Sequence, residues 1–248
     1  MKTSNPALRA KALRGPAVGL GYGAAEAMTV NGAVNKTAFM LILLLFSASW
    51  VWRTYFNEGL EAVTPLMTIG LVGGLITALI TIFVNRWSPL TAPVYALFEG
   101  LFLGGITAVF EQKYHGLAFQ AVALTFGTLF MLLFAYRAGI VRATDKFKAG
   151  VVAATGGIFI VYVASAVLGL FGVQIPHIYG SGVIGIGFSV VVVVIAAMNL
   201  VLDFDFIDNA ARERAPKYFE WYGGFAIMVT LVWLYIEILN LLAKLRDR

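Results

Sequence analysis

The sequence predicts an all-α, polytopic membrane protein, and two observations support that fold class. Hydrophobic residues make up 60% of the chain and charged residues only 12%, whereas soluble domains contain about 25% charged residues. Apolar stretches recur seven times, and a helix needs roughly 20 apolar residues to cross a bilayer. We expect the seven transmembrane helices near residues 38–54, 65–85, 89–110, 117–137, 149–172, 179–204 and 221–243.

The chain divides into an N-terminal arm, residues 1–30, and a transmembrane domain, residues 31–248. The arm carries Arg9, Lys11 and Arg14 among Gly, Ala and Pro and shows no helical or strand periodicity. We expect it to be a disordered, basic cytoplasmic segment. The first apolar stretch lacks a signal-peptide exit, so we expect it to remain as the first span.

Basic residues predict the orientation in the membrane. With the N-terminus inside, 13 of the 18 Lys and Arg residues fall on inner segments, which the positive-inside bias favours. We therefore expect a multi-pass protein of the bacterial cytoplasmic membrane with its N-terminus inside and its C-terminus outside. Topology accounts for the net charge of +5, so we infer no nucleic-acid partner. The chain has no cysteine, which excludes disulfides and thiolate metal sites.

Small residues are spaced for close helix packing. Gly70 and Gly74, and again Gly100 and Gly104, have the G-x-x-x-G spacing, and Gly156-Gly157 follows in the fifth span. Such residues let helix backbones approach closely. We expect them to pack helices within one bundle, and a homodimer seam is the alternative.

Carboxylates occur where lipid is expected. Glu99 lies midway along the third span, Asp203 and Asp205 at the end of the sixth, and Glu237 within the seventh. A charge at the bilayer centre costs at least about 2.5–3.5 kcal/mol, so its default interpretation is a path or gate for cations or protons. For Glu99 and Glu237 the alternative is a neutral acid hydrogen-bonded to a neighbouring helix.

The end of the sixth span leads into a segment of alternating charge, residues 208–220, which we expect to be a solvated or interfacial turn. Asp203 and Asp205 point in different directions on a helix, and the negative end of the helix dipole favours their protonated forms. A basic side chain can offset that effect. The expected inner-side counter-charges are Arg86, Arg137, Arg142 and Arg214.

Enzymatic motifs are missing from the sequence. The two histidines, His115 and His177, both fall in predicted outer loops, and neither H-E-x-x-H nor an intramembrane Gly-x-Gly-Asp occurs. Gly180-Ser181-Gly182 does not supply a serine-protease signature. We therefore expect no catalytic residue, no resident metal and no cofactor.

Four runs of sequence carry a family resemblance. They are Met28–Thr37, Ala92–Gly100, Leu202–Ile207 and Leu234–Leu241. In this order, on seven spans, they resemble the Bax inhibitor-1 superfamily, specifically its bacterial branch with a long N-terminal arm. The resemblance implies a central seventh helix wrapped by the other six. It also implies a pH-sensitive calcium leak governed by an acidic pair, which maps to Asp203 and Glu237.

The two acids of this pair are 34 residues apart, too far for contact across a simple hairpin of spans six and seven. Three arrangements remain open. In the first, the segment 208–220 dips into the membrane, and in the second, span six unwinds. In the third, Asp205 and Asp208 replace Asp203 as the acids near the inner face, and Glu237 pairs with Glu99.

The functional hypothesis is a cation leak path, with Ca²⁺ as the transported ion, gated by protonation. Asp203 and Glu237 would form the gate, and Asp205, Glu99 and Asp208 would be secondary sites. Oxygen ligands suit a hard cation such as Ca²⁺. The alternative is a non-transporting regulator that binds membrane protein partners, such as a membrane protease complex, through its N-terminal arm.

Overall fold

The computed structural model describes residues 27–171 and 180–247. Within them seven α-helices follow one another, and all seven are long and apolar enough to cross a membrane, as predicted. A 3₁₀ turn, Asn85–Trp87, precedes the third helix. The helices are α1 (Val30–Glu58), α2 (Leu60–Phe83), α3 (Ser88–Lys113), α4 (Leu117–Arg137), α5 (Asp145–Leu170), α6 (Val183–Arg212) and α7 (Phe219–Arg246).

Helix α7 is the centre of the bundle. In its most apolar 18-residue stretch 61% of the residues are buried, against 44% in α3 and 11% in α5. It packs against α1, α3, α4 and α6. Helix α5 lies at the periphery and packs chiefly on α6. The arrangement confirms that the seventh helix is central, although four of the other six helices, rather than all six, pack on it.

Two helices extend well beyond the ends that the apolar pattern predicted. Helix α1 begins at Val30, before the predicted start at residue 38, because the Thr29 hydroxyl accepts a hydrogen bond from the Gly32 amide and caps the first turn. Helix α6 continues past the predicted end at residue 204 to Arg212. Asp203 therefore lies about nine residues, or ~13 Å, inside the end of α6.

The N-terminal arm is described only in its last residues. Residues 1–26, and with them the predicted disorder of the arm, lie outside the described part of the chain. Ala27 forms an isolated antiparallel bridge with Pro216, and the Met28 amide donates to the Ala215 carbonyl at 2.8 Å. These contacts involve residues before residue 31, where we placed the start of the transmembrane domain.

Glycines bring α1, α2 and α3 into close contact. A Cβ at Gly70 would lie 2.6 Å from the Phe98 carbonyl oxygen, and one at Gly74 would lie 2.9 Å from the Glu99 carboxylate. A Cβ at Gly100 would overlap Ser47 on α1. At these positions the small residues pack helices within one bundle, as expected.

Glycines on α4 and α5 have open space around them. A Cβ at Gly156 or Gly157 on α5 would meet no atom within 4 Å in the described residues, and the same holds for Gly127 on α4. These positions do not join described helices to one another. Close glycine packing therefore occurs on the α1–α2–α3 side of the bundle and at the start of α7, where Gly223 lies against Ile207 of α6 and Gly224 against Met40 of α1.

We expect Gly100→Ala to lower the free energy of unfolding by about 1–3 kcal/mol, because the added methyl overlaps Ser47 and the Leu44 carbonyl. Gly127→Ala is the matched control, since its methyl enters open space and a mid-helix alanine gains up to about 1 kcal/mol over glycine. Thermal unfolding in detergent measures both. Equal stability of the two variants would contradict the close packing of α3 against α1.

Candidate functional site

Glu237 is a buried carboxylate on α7, only 5% exposed. The Tyr162 hydroxyl on α5 donates to its Oε1 at 2.6 Å, and the Trp233 indole, one turn earlier on α7, donates at 3.3 Å. Both donors contact the same carboxylate oxygen. The hydrogen bond from Tyr162 also connects the peripheral helix α5 to the central helix α7.

A basic residue faces the same region. Lys244 lies seven residues after Glu237, two turns further along the same face of α7, and interacts with it electrostatically. Its ammonium group donates to the Ser189 hydroxyl at 2.8 Å and to the Gly185 carbonyl at 3.2 Å, both on α6. Lys244 was not among the predicted counter-charges, although the seven-residue spacing is visible in the sequence.

Asp203 lies inside the bundle on α6. Its Oδ2 is buried and has no hydrogen-bond partner among the described residues, while its carboxyl group interacts with the Thr230 side chain on α7. A buried polar atom left unpaired costs about 1–3 kcal/mol. Natural proteins keep few such atoms, so this one requires an explanation.

The structure separates the two acids of the predicted pair along α7. Asp203 meets α7 at Thr230, which lies two turns, about 10 Å along the axis, before Glu237. Helix α6 is continuous from Val183 to Arg212, which rules out the unwinding considered from the sequence.

Glu99 does not serve as a hydrogen-bond partner of Glu237. It interacts with Tyr95, one turn earlier on α3, and its carboxylate lies beside Gly74 on α2. The pairing of Glu237 with Glu99 that the sequence left open is therefore absent. Glu99 belongs to the closely packed side of the bundle, whereas Asp203 and Glu237 face α5, α6 and α7.

A third acidic group occupies the end of α6. Asp205 forms an ion pair with Lys148 on the first turns of α5 at 2.5 Å and accepts from Asn209 at 2.8 Å. Beside it, Asp208 accepts from the Tyr136 hydroxyl on α4 at 3.2 Å. These contacts join the end of α6 to both α4 and α5.

The arginines proposed as counter-charges do not form these contacts. Arg86, Arg137, Arg142 and Arg214 are all exposed, and the Arg142 guanidinium donates to the Gly139 carbonyl. Within the described residues, none of the four forms an ion pair within 4 Å with an acid, and the ammonium group of Lys148 pairs with Asp205 instead.

One buried acid was missed by the sequence reasoning, which placed it in a solvated turn. Glu220, in the first turn of α7, is 1% exposed. Its Oε1 accepts from the Thr29 amide and from the Thr29 hydroxyl, both at 3.0 Å, and from Lys217 at 2.7 Å. A Cβ at Gly32 would overlap this carboxylate, so the glycine makes room for it.

This arrangement resembles a capping box in which the acid comes from another helix. In a capping box, a glutamate on the third residue of a helix returns to bond the N-cap amide. Here Glu220 of α7 accepts the hydrogen bond from the N-cap amide of α1, that of Thr29. It lies at the positive N-terminal ends of two helices at once, which stabilises its negative charge.

No group of three or more His, Cys, Asp or Glu side chains that could hold a metal ion occurs in the described residues. The acids at Glu99, Asp203, Asp205 and Glu237 are instead dispersed, each with partners of its own. Chemically, such dispersed carboxylates can accept a proton or contact a passing cation.

Fold and site together define a seven-helix integral membrane protein with carboxylates buried around a central helix. The family described as Bax inhibitor 1 like matches residues 5–247 of the chain. Because the match covers nearly the whole sequence, the chain belongs to that family, which confirms the predicted resemblance. Comparison with curated proteins and with solved structures gave no match.

We expect Glu220→Gln to lower the free energy of unfolding by about 1–2 kcal/mol, since it removes the charge that Lys217 and two helix ends stabilise. Amide exchange in residues 27–33 should also accelerate, because the Thr29 cap is weakened. Glu213→Gln, an exposed acid in the same connection, is the control. If both variants unfold and exchange alike, Glu220 does not hold α1 to α7.

Proposed function

We propose that the protein is a pH-sensitive cation leak channel, with Ca²⁺ as its ion, in the bacterial cytoplasmic membrane. Asp203 and Glu237 would control opening, and the chain would have its N-terminus inside and its C-terminus outside. The observation that carries the proposal is the buried Asp203 Oδ2, which has no hydrogen-bond partner among the described residues. In a lipid environment, an ionisable group kept at this cost indicates a functional role.

Three acid positions at successive depths on α6 and α7 support a path through the part of the bundle that α5, α6 and α7 form. Asp205 lies toward the end of α6, Asp203 meets α7 at Thr230, and Glu237 lies about 10 Å further along α7. Carboxylate oxygens are the ligands that Ca²⁺ prefers. A cation moving between these depths would encounter an oxygen ligand at each one, provided that the carboxylates are ionised.

Protonation would act by changing the charge at each depth. A neutral acid no longer attracts a cation, and it no longer holds a basic partner. The Lys148–Asp205 ion pair and the Tyr162–Glu237 hydrogen bond are the contacts that such a change would weaken. Glu99 and Asp208 would be secondary acids, because one lies against α2 and the other is bonded by Tyr136.

The proposal involves no enzymatic reaction. Its chemistry needs only reversible protonation and transient oxygen ligation, without a nucleophile, a resident metal or a cofactor. The orientation is supported by the 13 of 18 basic residues that fall on the segments assigned to the inside.

We expect Ca²⁺ flux into proteoliposomes to change between pH 5 and pH 8 for the wild type. Asp203→Asn and Glu237→Gln imitate the protonated acids, so each should flatten the profile and give, at pH 8, the flux that the wild type shows at pH 5. Glu61→Gln, an exposed acid on α2, is the charge-matched control and should titrate like the wild type.

Two results would count against this gate. If both variants titrate like the wild type, the assignment of Asp203 and Glu237 is wrong. If folded wild-type protein gives no flux above empty liposomes at any pH, the channel proposal fails. The non-transporting regulator that binds membrane protein partners then becomes the better hypothesis.

We expect Lys148→Met to raise Ca²⁺ flux at neutral pH, because it removes the ammonium group that neutralises Asp205 and repels an approaching cation. The side chains of the pair are 39% and 20% exposed, so the ion pair is accessible from the end of the bundle. Lys146→Met, on the same turn and exposed, is the matched control. An equal flux from both variants would exclude a blocking role for Lys148.

A further inference from the structure

A cavity of about 420 Å³ lies between α1, α3, α4 and α7. Its inner wall is apolar and buried, with Leu103 on α3 and Met228 and Leu231 on α7. It shares none of its lining residues with the acids of the proposed gate. Its volume falls in the range of about 300–1,000 Å³ that is typical of small-molecule sites.

The cavity extends through one leaflet of the membrane. Along α1 it reaches from Leu41 to Trp52, about 16 Å at 1.5 Å per residue, or half of the ~30 Å hydrocarbon core. On α4 it begins at Ala118, beside the first residue of that helix. One end therefore lies near the helix ends at the interface, and the other lies near the middle of the bundle.

Exposed residues show where the cavity opens. Phe119 on α4 is 79% exposed and Leu45 on α1 is 49% exposed, and both line the cavity. The opposite wall on α7 is buried. The opening thus lies between α1 and α4, on the outer surface of a bundle that spans the membrane, where lipid chains are the surrounding medium.

The shape of the cavity limits what can enter. The centre of a water molecule can occupy 420 Å³ of this cavity, which over a length of ~16 Å gives a space roughly 8–9 Å wide once the radius of water is added on both sides. A helix is about 10–12 Å across, so a helix of a second copy could cover the opening but could not enter it. A single extended hydrocarbon chain fits within both the length and the width.

The polar groups of the cavity are consistent with an apolar occupant. The Thr107 and Tyr235 hydroxyls, which belong to its lining, are hydrogen-bonded to each other at 2.8 Å. They therefore need no hydrogen bond from a ligand. Trp52 lies at the interfacial end, where an amphipathic indole is favoured, and the exposed Arg53 follows it.

We propose that this cavity binds one acyl chain of a membrane phospholipid, with the headgroup at the C-terminal end of α1. The lipid would enter laterally between α1 and α4 and fill the space that the four helices leave. This site is separate from the proposed ion path, so it stands or falls independently of the leak function.

Native mass spectrometry after extensive detergent washing tests the proposal, because washing removes bulk lipid. We expect the wild type to retain one phospholipid. Val122→Trp on the α4 wall and Ser49→Phe on the α1 wall fill the cavity from opposite sides and should lose most of it. Leu124→Trp, an exposed position on α4 outside the cavity, is the matched control and should keep it.

A second measurement needs no variant. A phospholipid with a photoreactive group on its acyl chain, bound to washed wild-type protein, should label peptides 41–52 and 118–126. Failure of the wild type to retain lipid, retention by both filling variants, or a dimer mass in place of the lipid would each overturn the proposal. Label spread evenly over the exposed helices α2 and α5 would overturn it as well.

Discussion

Hydrocarbon offers no hydrogen-bond partner, and this constraint determines how the helices surround α7. A polar group on a helix at the centre of a bundle must be satisfied by its neighbours, because neither lipid nor bulk water reaches it. Glu237 is bonded by Tyr162 of α5, and Tyr235 is bonded by Thr107 of α3. At the first turn of α7, Glu220 caps α1. These three polar positions on α7 therefore each contact a different surrounding helix.

The sequence predicts the helix count and the fold class because apolar composition determines both. It predicts helix ends less well. Asp203 and Asp205 looked like the end of a span, since charge marks an interface in an apolar pattern. Helix α6 continues to Arg212 because both acids face protein: Lys148 and Asn209 contact Asp205, and Thr230 of α7 contacts Asp203.

The acids of the candidate site could be predicted from the sequence, but the residues that contact them could not. Glu220 resembled a solvated charge because its partner, Thr29, lies 191 residues away, and no local pattern records such a contact. Counter-charges were sought among arginines near the inner face. In the structure the basic partners are two lysines. Lys148 of α5 pairs with Asp205 of α6, and Lys244 lies two turns after Glu237 on the same face of α7.

The two sides of the bundle are held by different forces, and this difference bears on gating. Helices α1, α2 and α3 touch chiefly through glycines, and Glu99 is the only one of the proposed gate acids that lies at these contacts. Helix α5 is only 11% buried in its most apolar stretch, and side-chain contacts to polar groups hold it to α6 and α7. Two of these, Lys148–Asp205 and Tyr162–Glu237, end on carboxylates. If protonation of these acids gates the path, α5 is the helix whose attachment changes most, because both of these contacts hold it to the bundle.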